Sequence, residues 1–331
     1  MGLNVAIIGS GWLGCHTALK LKDNHNVSLY DSHGIFTRSS LYNQNRLHKG
    51  FHYSRNYLTR TLCQSTFENF IQDYDHLVDI VENNYYIVPQ NKSIIDYQTF
   101  KNIFAYDGID FADANVPFLS NIEGGLIVDE RYINPLKAKS YFNQQLQPLL
   151  VNKEIGYDDL TKLSNENDIV INVTNNTLQP SSEYIYELCL TLVYTRNIQT
   201  EFNALTMVDG PFFSIYPYIN NTYTLTDVQH TPIYISKDLQ EINEYIKLIN
   251  NNSIKNVKTK MEEKVSYYYN DFRKHFNYVN FFTSIKAKKE SESADRSPTI
   301  KMDGNILSCV TGKIQGIYTL ENYITNEIIN R

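Results

Sequence analysis

Residues 5–32 read VAIIGSGWLGCHTALKLKDNHNVSLYDS, and this stretch decides the fold class. A short apolar run leads into Gly9, Gly11 and Gly14, which have the spacing G-x-G-x-x-G, and apolar residues then recur at helical spacing. A second apolar run ends at Asp31, about 20 residues after the first glycine. This order of strand, glycine turn, helix, strand and acid predicts an α/β protein with a Rossmann-like dinucleotide-binding domain.

Each part of this unit has a physical role in holding a dinucleotide. Gly9 permits the tight turn, Gly11 lets backbone N–H groups approach a pyrophosphate, and Gly14 lets the helix pack closely on the strand. The helix N-terminus attracts the phosphate charge, and the acid accepts hydrogen bonds from ribose hydroxyls. The pattern alone does not separate NAD from FAD. The predicted contacts of the dinucleotide in this unit are Gly9, Gly11, Trp12, Leu13, Gly14 and Asp31.

Composition and charge narrow the class of protein. The 331 residues are 42% hydrophobic and 13% aromatic, which is enough for one large or two ordinary domains. The net charge of −6 argues against a broad nucleic-acid-binding face. The four cysteines are scattered singly, so we predict neither a metal site nor disulfides. No apolar run approaches the ~20 residues of a membrane span, and the early first strand leaves no room for a signal peptide, so we expect a cytoplasmic protein. The oligomeric state stays open.

A polar segment after the acid carries the second signal. Residues 38–56 read RSSLYNQNRLHKGFHYSRN, with His48 two positions before Gly50. This segment resembles the loop of FAD enzymes of the D-amino-acid oxidase superfamily, in which 2-hydroxyglutarate and glycerol-3-phosphate dehydrogenases have a similar His-x-Gly pattern. The resemblance implies FAD as the cofactor and a loop that runs past its pyrophosphate and along the flavin. The implied contacts are Arg38, Ser39, Asn43, Arg46, His48 and Gly50.

Two later segments resemble the same superfamily. Residues 168–174, DIVINVT, are similar to its late strand, although asparagine follows at position 175 where the superfamily usually has glycine. Residues 296–316 resemble its closing segment, in which an arginine-containing turn and a strand precede a glycine and the last helix. The positive end of that helix favours reduced flavin, which carries negative charge. The implied flavin contacts are Thr174, Gly312, Lys313 and Ile314.

The resemblance also predicts a discontinuous division of the chain. Residues 1–82, 122–178 and 284–331 would form the FAD-binding domain. Residues 83–121 and 179–283 would form an α+β substrate domain built on an antiparallel or mixed sheet. Within these pieces we expect helices over 57–82 and 135–149. The charged stretch 287–296 is either a solvated connector or a flap over the active site.

The implied reaction is hydride transfer to flavin N5 from a carbon that bears an amine or a hydroxyl, in an amino acid or 2-hydroxy acid type of substrate. A small anionic substrate needs a cation, for which Arg296 is the first candidate and Arg46 the second. His48 is the candidate base, because histidine titrates near neutral pH. The weaker candidates for this side of the flavin are His52, Tyr53, Tyr216, Tyr218 and His230.

Several alternatives stay open at this level. A base such as His48 favours oxidation of a hydroxyl, whereas the superfamily as a whole favours C–N bonds. The electron acceptor and covalent attachment of the flavin are undetermined. A non-redox flavoenzyme such as a sugar-nucleotide mutase is disfavoured because its usual glycine-histidine loop is not evident. A nucleotide-binding regulator without turnover is disfavoured by the polar, histidine-rich loop.

Overall fold

Two large β-sheets organise the computed structural model, which describes residues 2–290 and 295–329. The strands of these residues are, in chain order, β1 (Asn4–Ile8), β2 (Asn26–Asp31), β3 (Arg46–Leu47), β4 (Val78–Ile80), β5 (Asn84–Pro89), β6 (Phe111–Asp113), β7 (Ile122–Val128), β8 (Arg131–Ile133), β9 (Leu150–Asn152), β10 (Ile169–Asn172), β11 (Tyr184–Arg196), β12 (Ala204–Met207), β13 (Phe213–Pro217), β14 (Thr222–Asp227), β15 (Pro232–Ser236), β16 (Phe276–Lys289), β17 (Thr299–Asp303) and β18 (Ile306–Val310). The α-helices are α1 (Trp12–Leu21), α2 (Tyr57–Tyr74), α3 (Tyr97–Tyr106), α4 (Pro135–Leu146), α5 (Tyr157–Glu166), α6 (Leu239–Leu248), α7 (Asn251–Tyr268), α8 (Phe272–His275) and α9 (Gly316–Ile324).

The six-stranded sheet contains the predicted βαβ unit. Its order is β17-β18-β10-β1-β2-β9, and its neighbours run parallel except for the antiparallel edge pair β17–β18. Strand β1 is buried from Val5 to Ile8, as expected for a strand with helices on both faces. Because parallel strands end at the same edge, the carboxyl ends of β1, β2, β10 and β18 meet there. We call this six-stranded sheet the nucleotide sheet.

Helices α1, α2 and α4 enclose an aromatic core on one face of the nucleotide sheet. The Trp12 ring lies edge-on to Phe36, Tyr74 and Phe142, with ring centres 5.1 to 5.5 Å apart. The first residue of α1 is therefore held by ring contacts in this core. This packing fixes the direction in which the helix N-terminus points.

Both predicted long helices end earlier than expected. The helix expected over 57–82 stops at Tyr74 and is followed by a short 3-10 helix and by β4, which pairs with β8. The β-branched Val78 and Ile80 suit that strand better than a helix. The helix expected over 135–149 stops at Leu146, because Pro148 cannot donate the next backbone hydrogen bond.

The nine-stranded sheet confirms the prediction of a mixed sheet. Its order is β15-β11-β14-β13-β12-β5-β7-β6, with β16 also paired to β11. All neighbours are antiparallel except β12 and β5. We call it the substrate sheet. Strand β7 (Ile122–Val128) belongs to it, although the predicted division assigned residues 122–178 to the FAD-binding domain. That division as a whole stays a prediction.

The charged stretch 287–296 differs from the expectation of a loop in its first part. Residues 287–289 continue β16, which pairs with β11 along the whole length of both strands. The connector and flap hypotheses for residues 291–294 lie outside the described residues. Among the helices that are described, none combines the length and the apolar character that a bilayer crossing requires. The compartment stays a prediction.

Candidate active site

A cleft of about 1250 Å³ lies between the nucleotide sheet and the substrate sheet. It begins at the glycine turn after β1 and extends past the polar segment 37–53 to residues 310–314 after β18. Most of the predicted site residues line it: Gly9, Gly11, Trp12, Leu13, Asp31, Arg38, Ser39, Asn43, Arg46, His48, Thr174, Arg296, Gly312, Lys313 and Ile314. Gly14 and Gly50 do not.

The glycine turn has the close approaches that the motif predicts. Gly9 has a φ of +103°, and a Cβ there would lie 2.9 Å from the Val173 carbonyl oxygen. A Cβ on Gly14 would lie 1.8 Å from the Gly9 carbonyl oxygen, so Gly14 serves helix packing beneath the turn. A Cβ on Gly11 would lie 2.7 Å from the Ser40 hydroxyl oxygen, on the cleft side. The turn can therefore expose backbone to a pyrophosphate only while these positions stay without side chains.

Asp31 and the end of β10 flank the turn. The Asp31 carboxylate accepts hydrogen bonds from the backbone N–H groups of Ser10 at 2.9 Å and His33 at 2.8 Å, which hold it at the cleft. Thr174 lines the cleft beside it. The next residue, Asn175, has a φ of +58°. Asparagine enters the left-handed region more readily than other side chains, so it supplies the conformation for which the superfamily usually has glycine.

The polar segment divides between the cleft and the interior. Arg38 is exposed and its Nη2 lies 3.0 Å from the His33 ring, while the Ser39 hydroxyl donates to the Ile285 carbonyl at 3.0 Å. Gly50 points away from the cleft, since a Cβ there would meet the Arg60 side chain at 2.8 Å. The segment therefore joins the cleft at Arg38, Ser39 and Asn43, and again at Arg46 and His48.

Arg46 is buried with most of its hydrogen-bonding capacity unused. Its Nη1 donates to the Thr206 hydroxyl at 2.8 Å, and its guanidinium lies 4.0 Å from the centre of the Tyr216 ring. Nε and Nη2 are buried and have no hydrogen-bond partner among the described residues. An unpaired cation in a buried site is costly. Two donors of this guanidinium are therefore unused by the described residues.

His48 lies beside a fully buried carboxylate. Its Nδ1 is 3.6 Å from Glu130 Oε1, a distance longer than a hydrogen bond. Glu130 accepts hydrogen bonds from the Lys49 backbone N–H at 2.8 Å and the Tyr86 hydroxyl at 2.7 Å. Burial, and then the charge of Lys313, lowers the pKa of His48 to about 4, although Glu130 opposes the shift. The imidazole is therefore neutral at neutral pH and can accept a proton.

The segment after β18 brings a second cation to His48. The Lys313 ammonium lies 4.4 Å from the centre of the Tyr53 ring. Burial, followed among the lowering causes by the charges of Arg296 and Lys286, lowers the pKa of Lys313 to about 7, although Cys63 opposes the shift. Lys313 is therefore charged below about pH 7 and neutral above it, in a part of the cleft where Arg46, Lys286 and Arg296 are its cationic neighbours.

A buried amide ties this end of the cleft together. The Gln315 side chain is fully buried, and its Nε2 donates to the backbone carbonyls of His48 at 2.7 Å and Cys63 at 2.9 Å. Arg296 lies against Gly312, where a Cβ would meet its Cδ at 2.8 Å. The closing segment therefore holds the histidine loop in place through a side chain that is remote from the cleft surface.

The five weaker candidates for the substrate side also divide between residues that line the cleft and residues that do not. His52 and Tyr53 line the cleft, whereas Tyr216, Tyr218 and His230 do not. The Tyr216 ring packs against the Arg46 guanidinium, and the Tyr218 hydroxyl donates to the Leu41 carbonyl at 3.2 Å. Burial, and then the charge of Arg46, lowers the pKa of His52 well below its ordinary value.

Sequence reasoning missed Glu130, Lys286 and Gln315. Glu130 stands in the run Asp129-Glu130-Arg131, which resembles an exposed charged turn, and no sequence signal marks its burial. Lys286 lines the cleft from β16, and Gln315 lies within the closing segment that the resemblance already singled out.

One group of potential metal ligands lies outside the cleft. Oxygen and nitrogen atoms of His16, Asp73 and Glu321 lie within 4.8 Å of one another. Both ring nitrogens of His16 are engaged, one by Tyr74 and one by Glu321. The Lys20 ammonium contacts Asp73 at 3.1 Å and Glu321 at 3.2 Å, so this group functions as an ion-pair network between α1, α2 and α9.

Comparison with known proteins identifies the family. No family model matches the chain. FAD-dependent monooxygenase FPY4 of Fusarium mangiferae is 33% identical over 330 residues, which cover 95% of this chain and 88% of that protein. The chain belongs to this family of FAD-dependent oxidoreductases. FAD-dependent monooxygenase kojA of Aspergillus flavus is 26% identical over 99% of this chain and 87% of its own length.

Solved structures show the same fold for this FAD-dependent oxidoreductase. Glycine oxidase from Geobacillus kaustophilus matches with a TM-score of 0.73 and 10% identity, over 99% of this chain and 95% of that one. L-α-glycerophosphate oxidase from Mycoplasma pneumoniae, solved with FAD bound, matches with a TM-score of 0.70 and 12% identity, over 98% and 94%. The predicted fold class, enzyme class and cofactor are confirmed, and the solved structures share the fold that the resemblance to the D-amino-acid oxidase superfamily implies. The mutase and regulator alternatives lose their support.

Proposed function

We propose that this enzyme oxidises a carbon bearing a hydroxyl or an amine in a small anionic substrate. The observation that carries the proposal is a buried guanidinium with two unpartnered nitrogens, Arg46, close to a neutral buried imidazole, His48. FAD, when bound, supplies the acceptor for the two electrons that leave the carbon. The protein's own part is to bind the anion, to orient the carbon and to take up the proton.

Gly9, Gly11 and the N-terminus of α1 would hold the pyrophosphate of FAD, and Asp31 would hold a ribose. The motif fits because backbone lies bare at the turn and the Asp31 carboxylate stands at the cleft. The flavin end would lie towards Gly312, Lys313 and Ile314. A cation beside the flavin stabilises the negative charge of its reduced form.

Arg46 is the better anchor for a substrate anion, ahead of Arg296. The Arg46 guanidinium is 7% exposed and rigidly held by Thr206 and Tyr216, so Nε and Nη2 present a fixed fork. A carboxylate or phosphate binds such a fork bidentately. Arg296 is half-buried and packs against Gly312, so it is more exposed to water than Arg46.

His48 would take the proton of a substrate hydroxyl. Its pKa of about 4 keeps the ring unprotonated through the neutral range, so the base is available without prior deprotonation. An amine substrate that arrives neutral would not need this base. We therefore favour a hydroxyl-bearing substrate, such as a 2-hydroxy acid or a phosphorylated alcohol.

Anaerobic reduction of the bound flavin tests this function. Purified protein should be yellow, and pooled 2-hydroxy acids, phosphorylated alcohols and amino acids should be screened for bleaching. Arg46→Lys should weaken binding of the bleaching substrate by about 10-fold or more through loss of the bidentate contact. Arg273→Lys is the matched control, because Arg273 is exposed and pairs with Glu262 away from the cleft. Bleaching by neutral substrates alone, with no effect of Arg46→Lys, would overturn the anionic assignment.

Oxygen insertion is a second candidate, favoured by the names of the curated relatives, which are FAD-dependent monooxygenases. Reaction under ¹⁸O₂ separates the two. Label in the organic product would establish oxygen insertion, whereas unlabelled product with hydrogen peroxide would establish simple oxidation.

A further inference from the structure

Glu130 is a fully buried carboxylate that lies in no salt bridge with a lysine or arginine of the described residues, although the charge of Arg46, after that of His48, helps to lower its pKa. It lies between β7 and β8, behind His48 and outside the lining of the cleft. Its oxygens accept two hydrogen bonds, from the Lys49 backbone N–H and the Tyr86 hydroxyl, and its Oε1 faces His48 Nδ1 at 3.6 Å. A buried carboxylate costs free energy unless a positive charge or hydrogen bonds compensate it. Its position beside a histidine therefore indicates that the two side chains interact.

We propose that Glu130 is a positioning residue for His48. Its carboxylate holds the hydrogen on Nδ1, so that the lone pair of Nε2 is left for the cleft. It then stabilises the imidazolium after the ring has accepted a proton. The inference rests on the proposed function of His48 as the base. The gap of 3.6 Å is compatible with it, because catalytic hydrogen bonds are often long before substrate binds.

The proton balance of this role is simple. The O–H bond of the substrate hydroxyl breaks, and an N–H bond forms at His48 Nε2. Glu130 keeps its charge throughout and forms no new covalent bond. Its attraction for the imidazolium lowers the energy of the protonated ring, which is the state that a base must reach in the reaction.

Glu130 is surrounded by groups near His48 that are either cationic or neutral, so its negative charge acts on the ring in the opposite direction from the cations. The charges of Lys313, in the closing segment, and of Arg46, two residues before His48, both disfavour the imidazolium. His52 and Tyr53 contact it from the following turn, with ring centres at 6.2 and 5.7 Å. The groups that face His48 or the Glu130 carboxylate are Arg46, Lys49, His52, Tyr53, Cys63, Tyr86, Glu130, Tyr216 and Lys313. Among these, Glu130 alone favours the imidazolium as an anion at neutral pH.

Two substitutions separate the charge of Glu130 from its acceptor. Glu130→Gln keeps an oxygen facing Nδ1 and Lys49 but removes the charge, while Glu130→Leu removes both. Nitrogen NMR of ¹⁵N-histidine-labelled, FAD-loaded protein reports which ring nitrogen is protonated. His48→Gln assigns the His48 signals among the eight histidines. Asp107→Asn is the matched control, because Asp107 is another buried carboxylate, paired with Arg60.

We expect one tautomer of His48, protonated at Nδ1, in the parent and a titration near pH 4. Glu130→Gln should keep the tautomer and move the titration to lower pH, because the attraction for the imidazolium is lost. Glu130→Leu should lose the single tautomer, and Asp107→Asn should change neither. If Glu130→Gln leaves the titration unmoved, or Glu130→Leu keeps the tautomer, the inference is overturned.

Kinetics then connect the pair to the reaction. Once a substrate is known, Glu130→Gln should lower kcat by ~10-fold to 10²-fold with little change in KM, because Glu130 does not line the cleft. Loss of substrate binding instead would contradict the role. If the NMR results hold but His48→Ala reduces its flavin at the parent rate, the proposed function of His48 fails while the Glu130 contact stands, so the two failures are distinguishable.

Discussion

The two ends of the cleft are built in opposite ways. The nucleotide end comes from a nearly continuous stretch, in which β1, the glycine turn, α1 and β2 follow one another within 28 residues. The substrate end collects single side chains from distant segments, with Arg46, Glu130, Arg296 and Lys313 more than 250 residues apart at the extremes. One end depends on backbone conformation, and the other depends on convergence of charged side chains. Substitutions at the nucleotide end should therefore affect FAD binding and folding, whereas substitutions at the substrate end should affect the reaction.

Gly14→Ala should have the largest effect, because it breaks the nucleotide end at its backbone. The new Cβ would lie 1.8 Å from the Gly9 carbonyl oxygen, so α1 must move away from β1. Overpacking of this kind costs ~1–3 kcal/mol or more, and FAD should be lost. Flavin absorbance after gel filtration and the thermal midpoint measure both effects. Gly108→Ala is the control, because a Cβ there has no neighbour within 4 Å, so that only the strain of its φ of +70°, ~1 kcal/mol, is added. Full FAD content in Gly14→Ala would refute the backbone argument.

His48→Ala should break the substrate end while sparing the other. The variant should stay yellow and reduce its flavin ~10²-fold more slowly, since the base is lost. The parent rate should stay level through the neutral range and fall only as the pH approaches 4, where the ring becomes protonated. Rapid mixing across pH measures this, with His76→Ala as an exposed control. An unchanged rate at every pH would favour amine oxidation, in which the substrate supplies its own lone pair.

Lys313→Met should remove a pH dependence from anion binding. The ammonium is charged below its pKa of about 7 and neutral above it, so the parent should bind an anionic competitive inhibitor more weakly as pH rises through 7. The variant should bind more weakly at low pH, by up to ~10-fold, and show a flat profile. Flavin absorbance titrations measure the Kd, and Lys237→Met is an exposed control. A pH-dependent Kd that persists in Lys313→Met would assign the titration to another group.

The same lowered pKa has a consequence for the free energy of unfolding. Between about pH 7 and the ordinary lysine value, the unfolded chain holds a proton that the folded protein has lost. Unfolding free energy should therefore rise with pH across that window, and less so in Lys313→Met. Denaturant titrations of the substrate-free protein at several pH values measure the slope.

Asn175→Ala should have the smallest effect and sharpens the comparison at the nucleotide end. The left-handed backbone at a φ of +58° costs an alanine ~1 kcal/mol, whereas Asn175→Gly should be nearly neutral. Denaturant midpoints of the two variants measure the difference. Equal destabilisation by both would show that the asparagine side chain, and not its backbone conformation, matters.

The same contrast explains what could be predicted from the sequence. The βαβ unit was predictable because glycine spacing, apolar runs and the acid are local features. The end of α2 was not, because a distant strand partner decides it, whereas the end of α4 was marked in the sequence by Pro148 and was still predicted too late. A short resemblance predicts His48 and Arg46, both of which line the cleft, and their roles stay predictions. Glu130 was invisible, because its burial depends on β5, β7 and β8 coming together. Our proposal ranks Arg46 above Arg296 because Arg46 is buried and has two nitrogens without a hydrogen-bond partner among the described residues, which no sequence pattern indicates.

Gln315 also has a consequence for the order in which the enzyme can mature. Its amide binds the carbonyls of His48 and Cys63, and β18 must already lie beside β10 to bring it there. During synthesis, the backbone at His48 therefore lacks this hydrogen bond until Gln315, 267 residues later in the chain, has been made. The nucleotide turn is completed earlier, because the distant segment against which it packs is the end of β10, at Val173. FAD can therefore bind before the substrate end of the cleft is assembled. The bound cofactor can then act as a template on which residues 296–316 fold.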